Sequence, residues 1–157
     1  MVSCSSDLPP ARKLMAVDDD KSTYTLVKQP PEIEDYMRLR KISGLTPFER
    51  DAAEIGLKGT IFGSVISYNG TAVGMGRLVG DGGCFFQVTD IAVHPDHQGR
   101  GLGKMIMASI MDYVESALPT SAYVSLIADV PANRLYEQFG FKQTAPRSVG
   151  MSYLVKR

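Results

Sequence analysis

The chain has 157 residues, of which 44% are hydrophobic and 22% charged, as expected for one globular domain with its own core. Its 17 basic and 17 acidic residues give a formal net charge of zero, which argues against a general nucleic-acid binder because such proteins carry a basic excess. No apolar run approaches the roughly 20 residues of a membrane-spanning helix, so no membrane partner is expected either.

The N-terminal segment differs in composition from the rest of the chain. We predict that residues 1–20 form a flexible tail and that residues 21–157 form a single domain. The tail has no continuous apolar segment of the kind that a secretory signal requires, and its three aspartates at 18–20 argue against an organelle-targeting peptide. Two cysteines are too few for a disulfide framework, so a cytoplasmic location is expected.

The first elements of the domain are a strand and two helices. Residues 23–27 have the composition of a strand, and the prolines at 30 and 31 precede a pattern with helical spacing. The segment TPFE at residues 46–49 has the form of a capping box with proline at the first helical position, which predicts the start of the second helix there.

Two turn signals then divide a β-rich region into an antiparallel meander. Asn69-Gly70 is the dipeptide favoured in type I′ turns, and the segment DGG at residues 81–83 indicates a second tight turn. The three strands predicted on either side of these turns cover residues 60–68, 71–79 and 84–93.

The second half of the domain begins with a long helix, which apolar residues at helical spacing predict over residues 101–118. The elements predicted after it are a strand at 122–127, a short helix at 131–138 and strands at 141–143 and 151–155. This order predicts a single α+β domain with a mixed, mostly antiparallel central sheet flanked by about four helices.

A glycine-rich stretch, QGRGLGK, lies at residues 98–104 between the last meander strand and the long helix. The first turn of a helix has unpaired backbone N–H groups, and glycines let an anion approach the backbone closely. Arg100 and Lys104 add positive charge. The stretch therefore predicts a cradle for a pyrophosphate, although on the alternative interpretation the glycines only shape the turn.

Two motifs resemble those of the GNAT superfamily of N-acetyltransferases. Gln98, Gly101 and Gly103 form the pattern Q-x-x-G-x-G directly after an apolar strand, and LYEQFGF at residues 135–141 is similar to the LYExxGF segment of that family. The predicted order of elements also matches the family fold from residue 23 onward. The resemblance implies an acyltransferase that moves an acetyl group from acetyl-CoA to a primary amine by direct attack in a ternary complex.

The resemblance also implies which residues contact acetyl-CoA. They are Ile91, Ala92, Val93, Gln98, Gly99, Arg100, Gly101, Leu102, Gly103, Lys104, Asn133 and Tyr136. Many family members carry an asparagine seven residues before the tyrosine, where this chain has Asp129. Asn133 shares the helix face of Tyr136 and is the candidate to take over that polar contact.

Two side chains are candidates for catalysis. The resemblance implies that Tyr136 protonates the departing sulfur, and the alternative is a core aromatic residue on a short helix. Strand alternation predicts two sets of side chains on opposite faces, Gln87, Thr89 and Ile91 on one and Val88, Asp90 and Ala92 on the other. Asp90 is the titratable group there and hence the candidate base, unless it pairs structurally with a neighbouring helix or hairpin.

The acceptor pocket of this fold usually lies between the first two helices and neighbouring strands. The residues expected to line it are Tyr36, Arg40, Phe48, Phe62 and Thr89. Their aromatic character favours a small aromatic or aliphatic amine over a sugar phosphate. A protein acetyltransferase acting on lysine side chains or N-termini and a non-catalytic acyl-CoA-binding module are the alternatives. A homodimer is compatible with the resemblance.

A metal site is not expected. His94, Asp96 and His97 form an H-x-D-H pattern, but structural zinc needs four ligands and the chain has no further histidine. The polarity of a surface loop accounts for these residues more simply.

Overall fold

One mixed sheet organises the protein, whose computed structural model describes residues 18–19 and 22–155. The strands of the sheet follow one another in sequence order. They are β1 (Asp18–Asp19), β2 (Ser22–Val27), β3 (Thr60–Tyr68), β4 (Thr71–Gly80), β5 (Phe85–Val93) and β6 (Tyr123–Ser125). The α-helices of the described residues are α1 (Ile33–Ile42), α2 (Arg50–Lys58), α3 (Leu102–Ala117) and α4 (Asn133–Glu137), and a short 3-10 helix lies at Pro95–His97. Neighbouring strands are antiparallel except β5 and β6, so the predicted fold class is confirmed.

Both predicted turns of the meander are present. Asn69 and Gly70 have φ angles of 49° and 82°, and a type I′ turn requires positive values at both positions. In the second turn the Asp81 carboxylate accepts backbone hydrogen bonds from Gly83 and Cys84, each at 2.8 Å. The local sequence therefore determines how β3, β4 and β5 are joined.

The sheet separates two hydrophobic clusters. On one face, the apolar side of α3 packs on β3, β4 and β5, and its residues Ile106, Met107 and Ile110 are fully buried. On the other face, α1 and α2 cover Met75 and Ala92 of the central strands. This arrangement leaves the C-terminal end of β5 between the two helical layers.

A bulge interrupts the pairing of β5 with β4. The register shifts between Met75 and Arg77, so that two residues of β5, Asp90 and Ile91, lie opposite Gly76 alone. Asp90 has a φ of 58°, in the left-handed region that few non-glycine residues adopt. A Cβ atom on Gly76 would lie 2.6 Å from Ile91 Cδ1, so the bulge packs closely against a residue that has no side chain.

The bulge changes which side chains share a face, and the alternation predicted for β5 is wrong beyond Thr89. Val88 and Ile91 both contact the α3 cluster, although the prediction placed them on opposite faces. Asp90 instead contacts Tyr36 of α1 and Arg77 of β4, and Thr89 is the cross-strand partner of Arg77, so Asp90 and Thr89 lie on the same face. Side chains alternate between the two faces of a sheet only where each residue of a strand pairs with a single residue of the neighbouring strand.

Three further predictions differ from the structure. The second helix begins at Arg50, its N-cap is Glu49, and no side-chain cap is present. The predicted capping box does not form; the backbone oxygen of Thr46 instead accepts a hydrogen bond from Arg40 Nε at 3.0 Å, which ties the segment before α2 to α1. The predicted strands at 141–143 and 151–155 are irregular, since apolar alternation gives a strand only where a partner edge pairs with it.

The predicted N-terminal tail falls almost wholly outside the described residues. Its only described residues, Asp18 and Asp19, form β1 and pair with β2. Within the described part of the chain, no helix is both long enough and apolar enough to span a membrane.

Candidate active site

A cavity of about 410 Å³ opens where β5 and β6 separate. The two strands pair in parallel only from Phe85 and Tyr123 to Gln87 and Ser125, whereas β5 continues to Val93. Beyond the last pair, residues 87–91 form one wall of the cavity and residues 126–127 form another. The connection between α1 and α2 closes one side, and Tyr136 of α4 closes the other.

Tyr136 lies in this cavity, as its predicted role requires. Its side chain is half-buried and packs against the hydrophobic cluster under α3. Burial raises the pKa of the Tyr136 phenol, and the nearby negative charge of Asp129 raises the same pKa further. The hydroxyl therefore keeps its proton at neutral pH and is available as a donor.

Asp90 lies at the base of the cavity in a buried ion cluster. Arg40 Nη1 donates to Oδ1 of Asp90, Arg77 Nη1 donates to Oδ2 at 2.9 Å, and the Tyr36 hydroxyl donates to Oδ2 at 3.2 Å. The three charged side chains are each at most 8% exposed. Because three donors already occupy the two carboxylate oxygens, this geometry favours the structural interpretation of Asp90 over that of a base.

The two arginines extend the cluster into the surrounding elements. Arg77 Nη2 donates to the backbone oxygen of Gly56 in α2 at 2.7 Å, and Arg77 Nε donates to Thr60 at 2.9 Å. Phe48 lies over the Arg40 guanidinium at 4.2 Å, a cation–π contact. The cluster thus connects the β5 bulge to both helices on that side of the sheet.

The residues predicted to bind the acceptor are only partly brought together. Arg40 and Thr89 line the cavity, whereas Tyr36 is 2% exposed and belongs to the ion cluster. Phe48 covers Arg40 and does not line the cavity. Phe62 was predicted wrongly, because it lies on the opposite face of the sheet, stacked on Tyr113 of α3 at 4.6 Å.

The cavity wall is mainly polar. It includes Ser43, Thr46, Gln87, Thr89 and Asp129 beside the charged residues. The aromatic surface that favoured an aromatic or aliphatic amine is therefore not the surface of this cavity.

The glycine loop ends at an uncapped helix N-terminus. Met105 N–H makes the first helical hydrogen bond, to Gly101 at 3.0 Å. The N–H groups of Leu102, Gly103 and Lys104 precede it, so no carbonyl of α3 is available to accept from them. In the described part of the chain, no side chain caps this terminus, and its first turn contains no acidic residue. The terminus therefore provides donors and a positive dipole end for an anion.

The conformation of the loop explains its glycines. Gly99 and Gly101 have φ angles of 74° and 78°, and within the described residues no heavy atom beyond their immediate chain neighbours lies within 4 Å of the position that a Cβ would take at either residue. The space above the backbone is thus open, as a bound phosphate would need. Gln98 donates from Nε2 to the backbone oxygen of Val93 at 3.0 Å, which ties the loop to the end of β5.

The other residues predicted to contact acetyl-CoA do not all lie in the cavity. Ile91 lines the cavity, whereas Ala92 is buried against α1. Asn133 donates to Glu137 of its own helix at 2.9 Å and does not line the cavity. The cavity is lined instead by Asp129, whose only signal in the sequence is its replacement of the asparagine that many GNAT members carry.

The two histidines lie beside the loop and take part in local contacts. His94 Nδ1 accepts a hydrogen bond from the backbone N–H of Asp96 at 3.2 Å. His97 Nδ1 is 2.9 Å from the Tyr24 hydroxyl.

Two other clefts contain none of the predicted site residues. One of about 340 Å³ lies between β6 and residues 139–144, and one of about 550 Å³ lies between residues 29–33 and the end of α2.

Comparisons with known proteins agree with this fold. The sequence pattern of the family described as "Acetyltransferase (GNAT) domain" matches residues 59–143, more than half of the chain. A protein of unknown function from meticillin-resistant Staphylococcus aureus, a probable acetyltransferase, has a crystal structure that matches with a TM-score of 0.80. It is 43% identical, over 84% of this chain and 99% of that one. The protein belongs to the GNAT acetyltransferase family.

More distant relatives are consistent with this assignment. A GNAT family protein from Streptococcus pneumoniae matches with a TM-score of 0.70 at 23% identity, over 85% of this chain and 99% of that one, and shows the fold alone. The uncharacterized N-acetyltransferase ycf52 of Pyropia yezoensis is 30% identical over 73 residues, which are 46% of this chain and 41% of that protein. The match thus spans less than half the length of this curated relative.

The ion cluster gives a prediction about stability. Asp90→Asn is expected to lower the free energy of unfolding by about 3–5 kcal/mol, because it leaves Arg40 and Arg77 buried without their carboxylate. Urea unfolding measures this loss. The double variant with Arg77→Met is expected to lose less than the sum of the two single variants, because it removes a pair of opposite charges.

The opposite outcome would restore the alternative role of Asp90. If Asp90→Asn unfolds at the same urea concentration as the parent chain but has lost its catalytic activity, the carboxylate acts as a base rather than as a structural ion.

Proposed function

We propose that the protein is an N-acetyltransferase that uses acetyl-CoA as co-substrate and acetylates a primary amine in the cavity between β5 and β6. The observation that carries the proposal is the half-buried Tyr136 hydroxyl in the wall of this cavity. A module that only bound acyl-CoA would have no use for a proton donor at this position. Acetyl transfer needs one, because the departing thiolate must be protonated.

The coenzyme fits the residues between β5 and α3. We propose that its pyrophosphate binds the N–H groups of Leu102, Gly103 and Lys104, above the open backbone at Gly99 and Gly101. Arg100 and Lys104 would add charge, and the pantetheine arm would run along the backbone of residues 91–93, as in an added strand. Gln98 would act by holding the loop against Val93.

The proposed chemistry follows from the groups that would surround the thioester at the end of the pantetheine arm. The thioester would be positioned beside the β5 bulge, where a backbone N–H group would face the charge that develops on the carbonyl oxygen. Tyr136 would donate its proton to the sulfur. A phenol of ordinary pKa about 10 remains protonated at neutral pH, so Tyr136 has a proton to give when the sulfur departs.

A small polar amine is the acceptor that the cavity supports best. A volume of about 410 Å³ lies in the range of small-molecule sites, which run from about 300 to 1,000 Å³. Ser43, Thr46, Gln87 and Thr89 offer hydrogen bonds to such a molecule. The direct test is release of free thiol from acetyl-CoA across a panel of small amines and peptides. Turnover of peptides alone would contradict the small-molecule assignment, and no turnover with any amine would contradict the proposed activity.

The pyrophosphate cradle gives a binding prediction. Gly101→Glu is expected to abolish acetyl-CoA binding measured by calorimetry, because it introduces a negative charge beside the expected phosphate position. Gly82→Glu is the matched control. Gly82 also has a positive φ, 82°, and open space around it, but it lies in the β4–β5 turn. Equal affinities of both variants for acetyl-CoA would contradict the cradle.

Tyr136 gives a kinetic prediction. Tyr136→Phe is expected to keep the melting temperature and the acetyl-CoA affinity of the parent chain, while kcat falls about 10²-fold or more. The loss should shrink with an acyl donor whose leaving thiol is more acidic, because such a thiol departs without help. Tyr113→Phe, which alters a tyrosine of α3 stacked on Phe62, is the control and should retain its kcat. Normal turnover by Tyr136→Phe would show that the hydroxyl is not the donor.

A further inference from the structure

We propose that Asp129 binds the ammonium group of the acceptor and accepts its proton before the amine attacks. This inference rests on the proposed acetyltransferase function and assigns the base that the reaction needs.

The charged and titratable residues of the cavity leave Asp129 as the available base. Four such side chains line it: Arg40 from α1, Asp90 from β5, Asp129 from the β6–α4 connection and Tyr136 from α4. Arg40 and Asp90 are buried and paired with each other. Tyr136 is the proposed acid. Among the described residues, Asp129 makes no ion pair and no side-chain hydrogen bond, so both of its oxygens can accept from a substrate.

The position of Asp129 is fixed by the backbone beside it. Its carbonyl oxygen accepts a hydrogen bond from the Ala132 N–H at 2.7 Å, in the turn that leads directly into α4. Ala132 and Tyr136 line the same cavity, so the carboxylate and the phenol lie along one wall. Their proximity also appears in the effect of the Asp129 charge, which contributes to the raised pKa of the Tyr136 hydroxyl.

The exposure of Asp129 suits a group that must pass its proton on. It is solvent-exposed, whereas Asp90 is 8% exposed and closed off by arginines. A carboxylate at the open side of the cavity attracts a cationic amine from water and releases a proton to water afterwards. An asparagine, which many GNAT members have at this position, could not take this proton, because its neutral amide is not a base at neutral pH.

The protons balance in this scheme. The ammonium gives one proton to the Asp129 carboxylate, and the neutral amine forms a bond to the thioester carbon. The carbon–sulfur bond then breaks, the sulfur takes the Tyr136 proton, and the tyrosinate regains a proton from the new amide nitrogen. Asp129 loses its proton to solvent, so the net products are the amide, free coenzyme A and one proton.

The test uses amines of different basicity with the full-length chain. Asp129→Asn should lower kcat/KM about 10²-fold or more for amines that are protonated at the assay pH. For weakly basic amines, which are already neutral at that pH, kcat/KM should stay within a few-fold of the parent value. Raising the pH should restore activity on a basic amine, because solvent hydroxide then removes the proton instead. Asp112→Asn, an exposed carboxylate on α3, is the control and should behave like the parent chain.

The possible outcomes separate the inference from the proposed function. If the parent chain acetylates amines and Asp129→Asn keeps its activity on basic amines, Asp129 is not the base but the proposed function stands. An equal loss with basic and weakly basic amines would also overturn the inference, since it would indicate an effect on folding or coenzyme binding. If the parent chain releases no thiol with any amine, the proposed function itself fails.

Discussion

The site depends on one buried interaction, the contact of Asp90 with Arg40 and Arg77 at the β5 bulge. A non-glycine residue with a positive φ costs on the order of 1–3 kcal/mol and persists only where its surroundings impose it. Here two guanidinium groups and the Tyr36 hydroxyl hold the carboxylate on the α1 side of the sheet. Removing the carboxylate would leave both guanidinium groups buried without compensation, so the bulge and the packing of α1 and α2 stabilise each other.

The rest of the site follows from this constraint. Asp90 and Ile91 lie opposite a single residue of β4, so β5 bends at the point where its pairing with β6 has ended. The two strands are paired only as far as Gln87 and Ser125, and the gap between them beyond this pair is the polar cavity. The end of β5 then leads through Gln98 into the glycine loop and the uncapped first turn of α3. The proposed phosphate-binding loop and the proposed reaction site thus both lie at the C-terminal end of β5.

The sequence predicted those parts of the fold that local residues decide. The Asn69-Gly70 turn and the glycines before α3 need backbone angles that few residues adopt, so they are visible in the sequence itself. The bulge has no comparable signal, because it depends on arginines 50 and 13 residues away from Asp90 along the chain. A strict alternation along β5 was wrong for this reason.

The acceptor side of the site was predicted less well, again for a physical reason. Phe62 and Arg40 have side chains suited to a binding pocket, yet strand geometry directs Phe62 to the α3 face, and ion pairing buries Arg40. Asp129 lies in an irregular connection, where periodicity gives no information about direction. Only its departure from the asparagine common in the family distinguished it.

The central claim is that acetyl-CoA binds along the end of β5 and at the N-terminus of α3. Amide hydrogen exchange with and without acetyl-CoA tests it most directly. The account predicts that exchange slows at the amides of Leu102, Gly103 and Lys104 and along residues 91–93, while the β4–β5 turn at residues 81–84 is unchanged. Protection confined to the cleft between residues 29–33 and the end of α2, with no change at the first turn of α3, would contradict it.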